Sequence, residues 1–458
     1  MRVVLPGCFV ILSLLLGACA APTNRPVATR AVASDMALPP MRRFGNTVVA
    51  PPARPNAEMM QDFLDLAFQL ESGRSLPVLT RFEGAINVRM TGPVPPSAQA
   101  DLTRVLGRLR AEAGIPIRQA QGEAAAITIE FLPRRTMQRL VPRAACFVAP
   151  RVRSWAEYRR AGRNALDWTT LEARRQSAIF IPNDTAPQEI RDCLHEELAQ
   201  ALGPLNDLYR LPDSVFNDDN VHTILTGFDM LMLRVYYAPE LANGMRRGEV
   251  AARLPRIFAR LNPRGEGRSG RIADPAPPAF GRAIETALGP GTSPGRRRSA
   301  IREALAIAQS RSWTDARAGF VWLALGRLSL GHDAEEARDA FLQASAIYHN
   351  APGLALQAAH ADMQLAAFAL SNGQPDIAIG LVDRSTRVVA AAENAALLAN
   401  LLMVKAEALD LLGRHTEARI VRLDSLGWAR YGFASDAEVE ERLLNVASLS
   451  PVQTKRRP

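Results

Sequence analysis

Lysine is almost absent from this 458-residue chain. Lys405 and Lys455 are the only two, so nearly all of the 55 basic residues are arginines, and they are scattered along the sequence. A groove that binds nucleic acid requires basic residues gathered on one face and interleaved with aromatic side chains. No such stripe occurs, nor does a phosphate-cradling P-loop. Despite the net charge of +9, we therefore expect no nucleic-acid partner.

Long apolar runs are also scarce, and the one that stands out lies at the amino terminus. Arg2 precedes an apolar core at residues 10–16, which is too short for a transmembrane helix of roughly 20 residues but suits a signal peptide. The core ends in Leu-Gly-Ala followed by Cys19, a pattern that resembles the bacterial lipobox. The resemblance implies removal of residues 1–18 and attachment of lipid to Cys19 and its new amino terminus. The alternative is an ordinary secretory signal with a chance cysteine.

The residues after Cys19 bear on the destination. Ala20 stands where an aspartate would mark retention, which favours the outer membrane, with the protein facing the periplasm. Two or more acyl chains anchor a protein stably, and no second hydrophobic stretch of spanning length follows. We therefore expect lipid to be the membrane attachment. Residues 19–57 are rich in Pro, Ala and Arg, lack an apolar period, and are predicted to form a disordered tether.

Only four cysteines occur, and two of them belong to the amino-terminal segment. Cys8 leaves with the signal peptide and Cys19 takes the lipid, which leaves Cys146 and Cys193. In an oxidising compartment two such residues are expected to form a disulfide. Two buried free thiols are the alternative.

Residues 58–261 alternate between helical and strand-like apolar periods, which predicts an α+β domain. Gly203 ends one of the helices, and Thr226 with Asp229 forms a capping box at the start of another. The predicted elements are helix 60–70, strand 79–91, helix 97–113, strands 126–132 and 178–181, and helices 187–202 and 228–237.

The carboxyl-terminal part is rich in Ala and Leu and almost entirely helical in pattern. Residues 262–298 contain several Pro and Gly residues and are predicted to be a linker, followed by a helical-repeat domain at 299–432. Turn glycines at positions 331, 373 and 413 lie 42 and 40 residues apart, and the first copy resembles a tetratricopeptide repeat. An unrelated helical bundle is the alternative. Residues 433–458 are predicted to form a short helix and a disordered tail.

The most informative motif runs from His195 to Gly203 and reads His-Glu-Glu-Leu-Ala-Gln-Ala-Leu-Gly. It begins like the helical zinc motif H-E-x-x-H, but alanine replaces the second histidine. One residue further along, Glu196 and Gln200 occupy the two histidine positions and Glu197 that of the general base. Asn206 then falls where metzincins place a third ligand. The segment resembles a metzincin active-site helix without its zinc ligands.

The same motif, with Asn206-Asp207 and the Phe-Asn-Asp-Asp segment from Phe216, resembles a bacterial lipoprotein family that carries domain of unknown function 2927. The resemblance covers about residues 59–245 and excludes the helical repeats. It implies a zincin-like α+β fold, and the family brings no established activity.

The ligand set of this motif offers mainly oxygen, which suits Ca²⁺, Mg²⁺ or Mn²⁺ better than zinc. The candidate metal ligands are Glu196, Gln200, Asn206 and Asp207, with His195 if the helix is turned. In the alternative without a metal, Glu196 and Gln200 form hydrogen bonds to the neighbouring loop and His195 is a packing residue.

These features lead to two functional expectations. The first is a membrane-anchored envelope protein with a degenerate metallopeptidase-like domain that serves as a non-catalytic binding or scaffold module. Its helical repeats would dock an envelope protein or peptide. The second is an active metal-dependent peptidase with atypical ligands and Glu197 as the general base.

Overall fold

The computed structural model describes residues 38–451 except 46–48, 53, 123 and 271–272. Cys19 and the signal peptide therefore lie outside the described residues. Within the described part of the chain, no helix combines the length and the apolar character that crossing a membrane requires.

The first half of the described chain contains a five-stranded mixed sheet surrounded by helices. The strands are β1 Ile86–Thr91, β2 Ile117–Gln119, β3 Ile127–Leu132, β4 Phe147–Pro150 and β5 Ser177–Pro182. Their order across the sheet is β2-β1-β3-β5-β4, and only β4 runs antiparallel to its neighbour. The helices are α1 Asn56–Phe68, α2 Ala98–Ala113, α3 Arg134–Gln138, α4 Trp155–Arg160, α5 Pro187–Leu202, α6 Gly227–Tyr236 and α7 Arg247–Leu261.

The second half is entirely helical. Its helices are α8 Pro278–Leu288, α9 Pro294–Ser310, α10 Ala316–Ser329, α11 Ala334–Asn350, α12 Ala355–Ser371, α13 Pro375–Ala391, α14 Ala395–Leu411, α15 His415–Gly432 and α16 Asp436–Ala447. Helices α10 and α11, α12 and α13, and α14 and α15 pack as successive pairs. The glycines at 331, 373 and 413 lie in the turns within these pairs, as the repeat spacing predicts.

The sequence correctly predicts an α/β region followed by an all-helical region, but several local predictions are wrong. The predicted strand 79–91 begins only at Ile86, because Leu79 exchanges backbone hydrogen bonds with Gly244 and Met245 in the loop before α7. Strands β2 and β4 were not predicted, because three or four residues are too few to display an alternating pattern.

The predicted linker at 262–298 contains helix α8 and the start of α9. Pro278 and Pro294 occupy first helical turns, where the absence of an amide hydrogen has no cost. Phe280 of α8 is fully buried, with its ring edge-on to Tyr209 and Trp313 at centroid distances of 5.4 and 5.1 Å. Pro278 and Pro294 therefore mark helix starts within the predicted linker.

Residues 38–45 of the predicted tether belong to the part of the chain that the structure describes. Residues 38–45 lie against helix α15, and the ring of Phe44 stacks on Trp428 with centroids 4.3 Å apart. The sequence pattern of this stretch has no apolar period because it is an extended segment whose contacts are mostly polar.

The two halves meet at a buried arginine of α5. Arg191 is 1% exposed. Its guanidinium donates to the carboxylate and the carbonyl of Glu393, at 3.2 and 2.8 Å, and to the Thr223 hydroxyl at 3.2 Å. The rings of Phe44 and Tyr431 flank it at 5.8 and 5.4 Å. Glu393 lies in the turn between α13 and α14, so α5 is fixed directly to the helical region.

Replacing this arginine is expected to weaken the junction. Arg191→Met removes a cation that pairs with the nearly buried Glu393 carboxylate. We expect the free energy of unfolding, measured by urea denaturation, to fall by about 3 kcal/mol. The control Arg134→Met removes a partly exposed ion pair with Glu189 of the same helix and should cost less than about 1 kcal/mol. Equal losses in the two variants would contradict this account.

Candidate functional site

The helix that carries the motif, α5, is fixed at its carboxyl end by a buried arginine. Arg174 is 4% exposed and donates to the carbonyls of Gln200, Ala201 and Gly203, the bond to Ala201 being 2.8 Å long. Because the last carbonyls of a helix carry partial negative charge, they stabilise a cation there. The guanidinium also lies over the ring of Trp168, 5.0 Å from its centroid.

A disulfide fixes the middle of the same helix. Cys146, next to β4, is bonded to Cys193 of α5, with the two Cα atoms 6.0 Å apart. The predicted disulfide is confirmed, and it ties the motif helix to the edge of the sheet. Cys193 consequently has no free thiol that could act as a nucleophile.

Three motif side chains share one face of α5. Glu196 and Gln200 are one turn apart, and Glu197 precedes Gln200 by three residues. Glu197 and Gln200 are 4% and 8% exposed, whereas Glu196 is partly exposed. The Gln200 amide donates to the Asp207 carboxylate at 3.4 Å. Glu71, in the loop after α1, adds charge from outside the motif. We call Glu71, Glu196, Glu197 and Asp207 the acidic cluster.

Three carboxyls of the acidic cluster, those of Glu196, Glu197 and Asp207, favour the protonated form. Burial raises the pKa of Glu196 to about 8, and repulsion from Glu71 adds to the effect. Burial also raises the pKa of Glu197 and that of Asp207 well above their ordinary values, with Glu196 and Glu71 contributing repulsion. One buried carboxyl oxygen of Glu197 and one of Asp207 have no hydrogen-bond partner among the described residues. The acidic cluster can therefore accept hydrogen bonds from a ligand, or release its protons when a cation binds.

The two remaining candidate ligands serve the fold. His195 is 2% exposed, and its Nδ1 atom accepts a hydrogen bond from the backbone N–H of Leu225 at 3.2 Å. Burial, with help from nearby arginines, lowers the pKa of His195 well below its ordinary value, so the ring is neutral. The Asn206 amide donates to the carbonyl of Asp65 in α1 at 3.0 Å. Both side chains thus contact elements away from the acidic cluster.

The donor set does not fit the zinc ion that the metzincin resemblance implies. Across the described parts of the chain, no three His, Cys, Asp or Glu side chains are grouped so that they could hold a metal ion. The side chains that do meet are carboxyls and an amide, whereas zinc sites in proteins use mainly imidazole and thiolate. The Asn206 and His195 side chains, which would complete the predicted ligand set, are engaged in hydrogen bonds elsewhere.

The loop that brings Asp207 to the cluster is fixed by a capping box at α6. Asp229 is fully buried and accepts hydrogen bonds from the Ser214 hydroxyl at 2.5 Å and from the backbone N–H of Thr226 at 2.7 Å. Thr226 in turn accepts from the N–H of Asp229, as the sequence predicts. Asp218, a residue of the same loop, is exposed and lies beside Tyr209.

Sequence reasoning missed two residues of the site, Arg174 and Glu71. Arg174 is one of many arginines in a chain that scatters them throughout, and no spacing distinguishes it. Glu71 follows the first helix in an exposed loop, more than a hundred residues before the motif. Both contacts are products of the tertiary fold.

A comparison with known families finds a match in the part of the chain that contains the sheet. Residues 56–256 match the model of a family described as "Protein of unknown function (DUF2927)". The match runs from the first residue of α1 into α7, so it contains the sheet and the acidic cluster and excludes the helical region. No curated protein matches the chain. We refer to residues 56–256 as the DUF2927 region.

The protonated state of the cluster predicts a pH-dependent stability. Because the pKa of Glu196 rises from 4.5 to about 8 on folding, the folded protein binds more protons than the unfolded chain between those pH values. The contribution of the Glu196 carboxyl to the free energy of unfolding is complete below about pH 4.5 and is lost as the pH rises through about 8. Glu197, whose pKa is raised in the same direction, behaves alike.

We therefore expect Glu197→Gln, which keeps the shape but cannot ionise, to be more stable than the wild type at pH 9. The gain should be on the order of 1–3 kcal/mol and smaller at pH 5, as urea denaturation at the two pH values would measure. Glu189→Gln, at a partly exposed position of the same helix, is the control and should show no such gain. A gain that is the same at both pH values would rule out the ionisation argument.

Proposed function

We propose that this chain is a lipid-anchored envelope protein whose DUF2927 region is a zincin-like domain that binds a partner without cleaving it. The order of elements supports the fold assignment: β1, α2, β2 and β3, β4 and β5, then α5 follow the zincin order of strand, helix, strands and active-site helix. The paired helices α10 to α15 serve as a tetratricopeptide-like second surface for an envelope protein or peptide.

The replacement of the zinc ligands carries this proposal. Glu196 and Gln200 stand at the histidine positions of the motif, and the structure joins Gln200 to Asp207 by a hydrogen bond. A general base must be ionised near the working pH. Burial raises the pKa of Glu197 well above the ordinary value and so disfavours the ionised form that a general base needs.

The chemistry of the acidic cluster indicates what it binds. Carboxyls with raised pKa release protons when a cation approaches, because an opposite charge favours their ionised form. The unpartnered oxygens of Glu197 and Asp207 are ready acceptors for such a group. We assign to this site a positively charged side chain, arginine or lysine, of an envelope protein or peptide.

Export supports the same interpretation. The disulfide between Cys146 and Cys193 belongs to an oxidising compartment, and the lipobox-like sequence before Cys19 supplies the lipid anchor. Ala20 directs the lipoprotein to the outer membrane, facing the periplasm.

The second candidate function is a metal-dependent peptidase with atypical ligands and Glu197 as the general base. The observation that favours it is the buried Glu197 oxygen without a hydrogen-bond partner among the described residues.

Binding to the acidic cluster can be tested with a hexa-arginine peptide. We expect isothermal titration calorimetry at pH 7.5 to detect binding accompanied by proton release. Glu196→Gln and Asp207→Asn should each weaken the affinity about tenfold, as expected for loss of one charge-assisted hydrogen bond. Glu189→Gln, on the same helix but outside the cluster, is the matched control and should bind like the wild type.

Elemental analysis and peptide-cleavage assays on the same preparation separate the two candidates. We expect neither stoichiometric metal nor cleavage. Stoichiometric metal with cleavage that disappears in Glu197→Gln but persists in Glu189→Gln would replace the binding proposal with the peptidase.

The anchor has its own test. In a bacterium that processes lipoproteins, the wild type should incorporate labelled palmitate and sediment with membranes. Cys19→Ala should do neither, whereas Cys8→Ala should behave like the wild type because position 8 leaves with the signal peptide. Palmitate labelling that survives Cys19→Ala would refute lipidation at this position.

A further inference from the structure

The segment before α1 is fastened to the helical region by several contacts of different kinds. The backbone N–H of Arg42 donates to the Gly427 carbonyl at 2.9 Å, and its guanidinium pairs with Asp424 at 2.9 Å. Phe44 stacks on Trp428. These three partners lie within one turn of α15, so residues 38–45 cross the helix at a defined place. We call residues 38–45 the clasp.

Helix α15 is shaped for this crossing. A Cβ atom at Gly427 would lie 2.9 Å from Cγ of Arg42, closer than side chains pack, so a larger residue would push the clasp away. The carbonyl of Pro39, near the start of the clasp, accepts a hydrogen bond from Arg430 at 3.0 Å. The clasp is thus held to α15 both by hydrogen bonds of its backbone and by contacts of its side chains.

The clasp also covers the junction between the two halves. The ring of Phe44 lies 5.8 Å from the guanidinium of Arg191, which joins α5 to Glu393 of the helical region. Further along, a Cβ atom at Gly227 would overlap the carbonyl oxygen of Ala50, so the chain passes closely over the start of α6. The segment therefore contacts both halves before it enters α1.

We propose that the clasp receives the lipid tether at α15 and fastens the two halves together at Arg191. This inference rests on the proposed anchor at Cys19. Nineteen peptide units separate Cys19 from Leu38, and their fully extended reach is about 65 Å. Without the clasp, the next close contact is that of Ala50 with Gly227, 31 units from Cys19, with a reach of about 105 Å. The clasp thus shortens the reach of the tether by more than a third.

Hydrogen exchange on the full-length chain tests the docking itself. We expect the Arg42 amide to exchange slowly in the wild type. Phe44→Ala, which removes one aromatic pair, and Gly427→Leu, whose side chain would overlap Arg42, should each speed its exchange about tenfold. Arg43→Ala, at the neighbouring exposed arginine, is the control and should leave the rate unchanged. Circular dichroism should show the same helix content in all variants.

A membrane measurement tests the reach. With a dye on a cysteine at the exposed position of Glu440 in α16, energy transfer to a lipid dye in vesicles should be greater for the wild type than for Gly427→Leu. Fast exchange of the Arg42 amide in the wild type, or equal energy transfer in the two proteins, would overturn the proposal. Failure of the chain to attach to vesicles would instead count against the lipid anchor and leave the exchange result standing.

Discussion

The position of α5 depends above all on the buried guanidinium of Arg191. Removing a charge from water costs several kcal/mol unless hydrogen bonds and opposite charge replace the lost hydration. Here the replacements come from Glu393 between α13 and α14, from Thr223 before α6 and from the rings of Phe44 and Tyr431. Asp192, the next residue of α5, adds an ion pair at 3.1 Å. The bonds to Glu393 fix the helical region to the DUF2927 region.

The remainder of α5 is held by interactions that require no metal. Cys193 bonds its middle to the region of β4, and Arg174 binds the carbonyls at its end. A protein whose fold depends on a bound metal loses that fold when the residues that bind the metal are replaced. Because α5 is held by arginines and a disulfide, the side chains on its motif face can change without loss of the scaffold. The chemistry of the face is consequently free to change independently of the fold.

The sequence predicts those parts of this structure whose pattern is local. The helix predicted at 187–202 coincides with α5. The pairing of Cys146 with Cys193 follows from the expected oxidising compartment and from the fact that only two cysteines lie beyond the amino-terminal segment. The contacts that hold α5 and its surroundings in place join distant positions. Arg191 and Arg174 resemble every other arginine of an arginine-rich chain, and Phe44 lies in a stretch without any period. Only the tertiary fold distinguishes them, because their partners lie tens to hundreds of residues away.

Cation binding at the acidic cluster and the stability of the fold both depend on the free energy of ionising the same carboxyls. The carboxyls of Glu196 and Glu197 favour the protonated form in the folded state. A rise in pH therefore lowers the free energy of unfolding of the protein that has no cation bound. A bound cation lowers the pKa of the same carboxyls and recovers that cost. By linkage, the affinity for a cation must rise over the pH range in which the empty protein loses stability. In a chain with a net charge of +9, these carboxyls on one helix face are the basis of the proposed binding of a positively charged ligand.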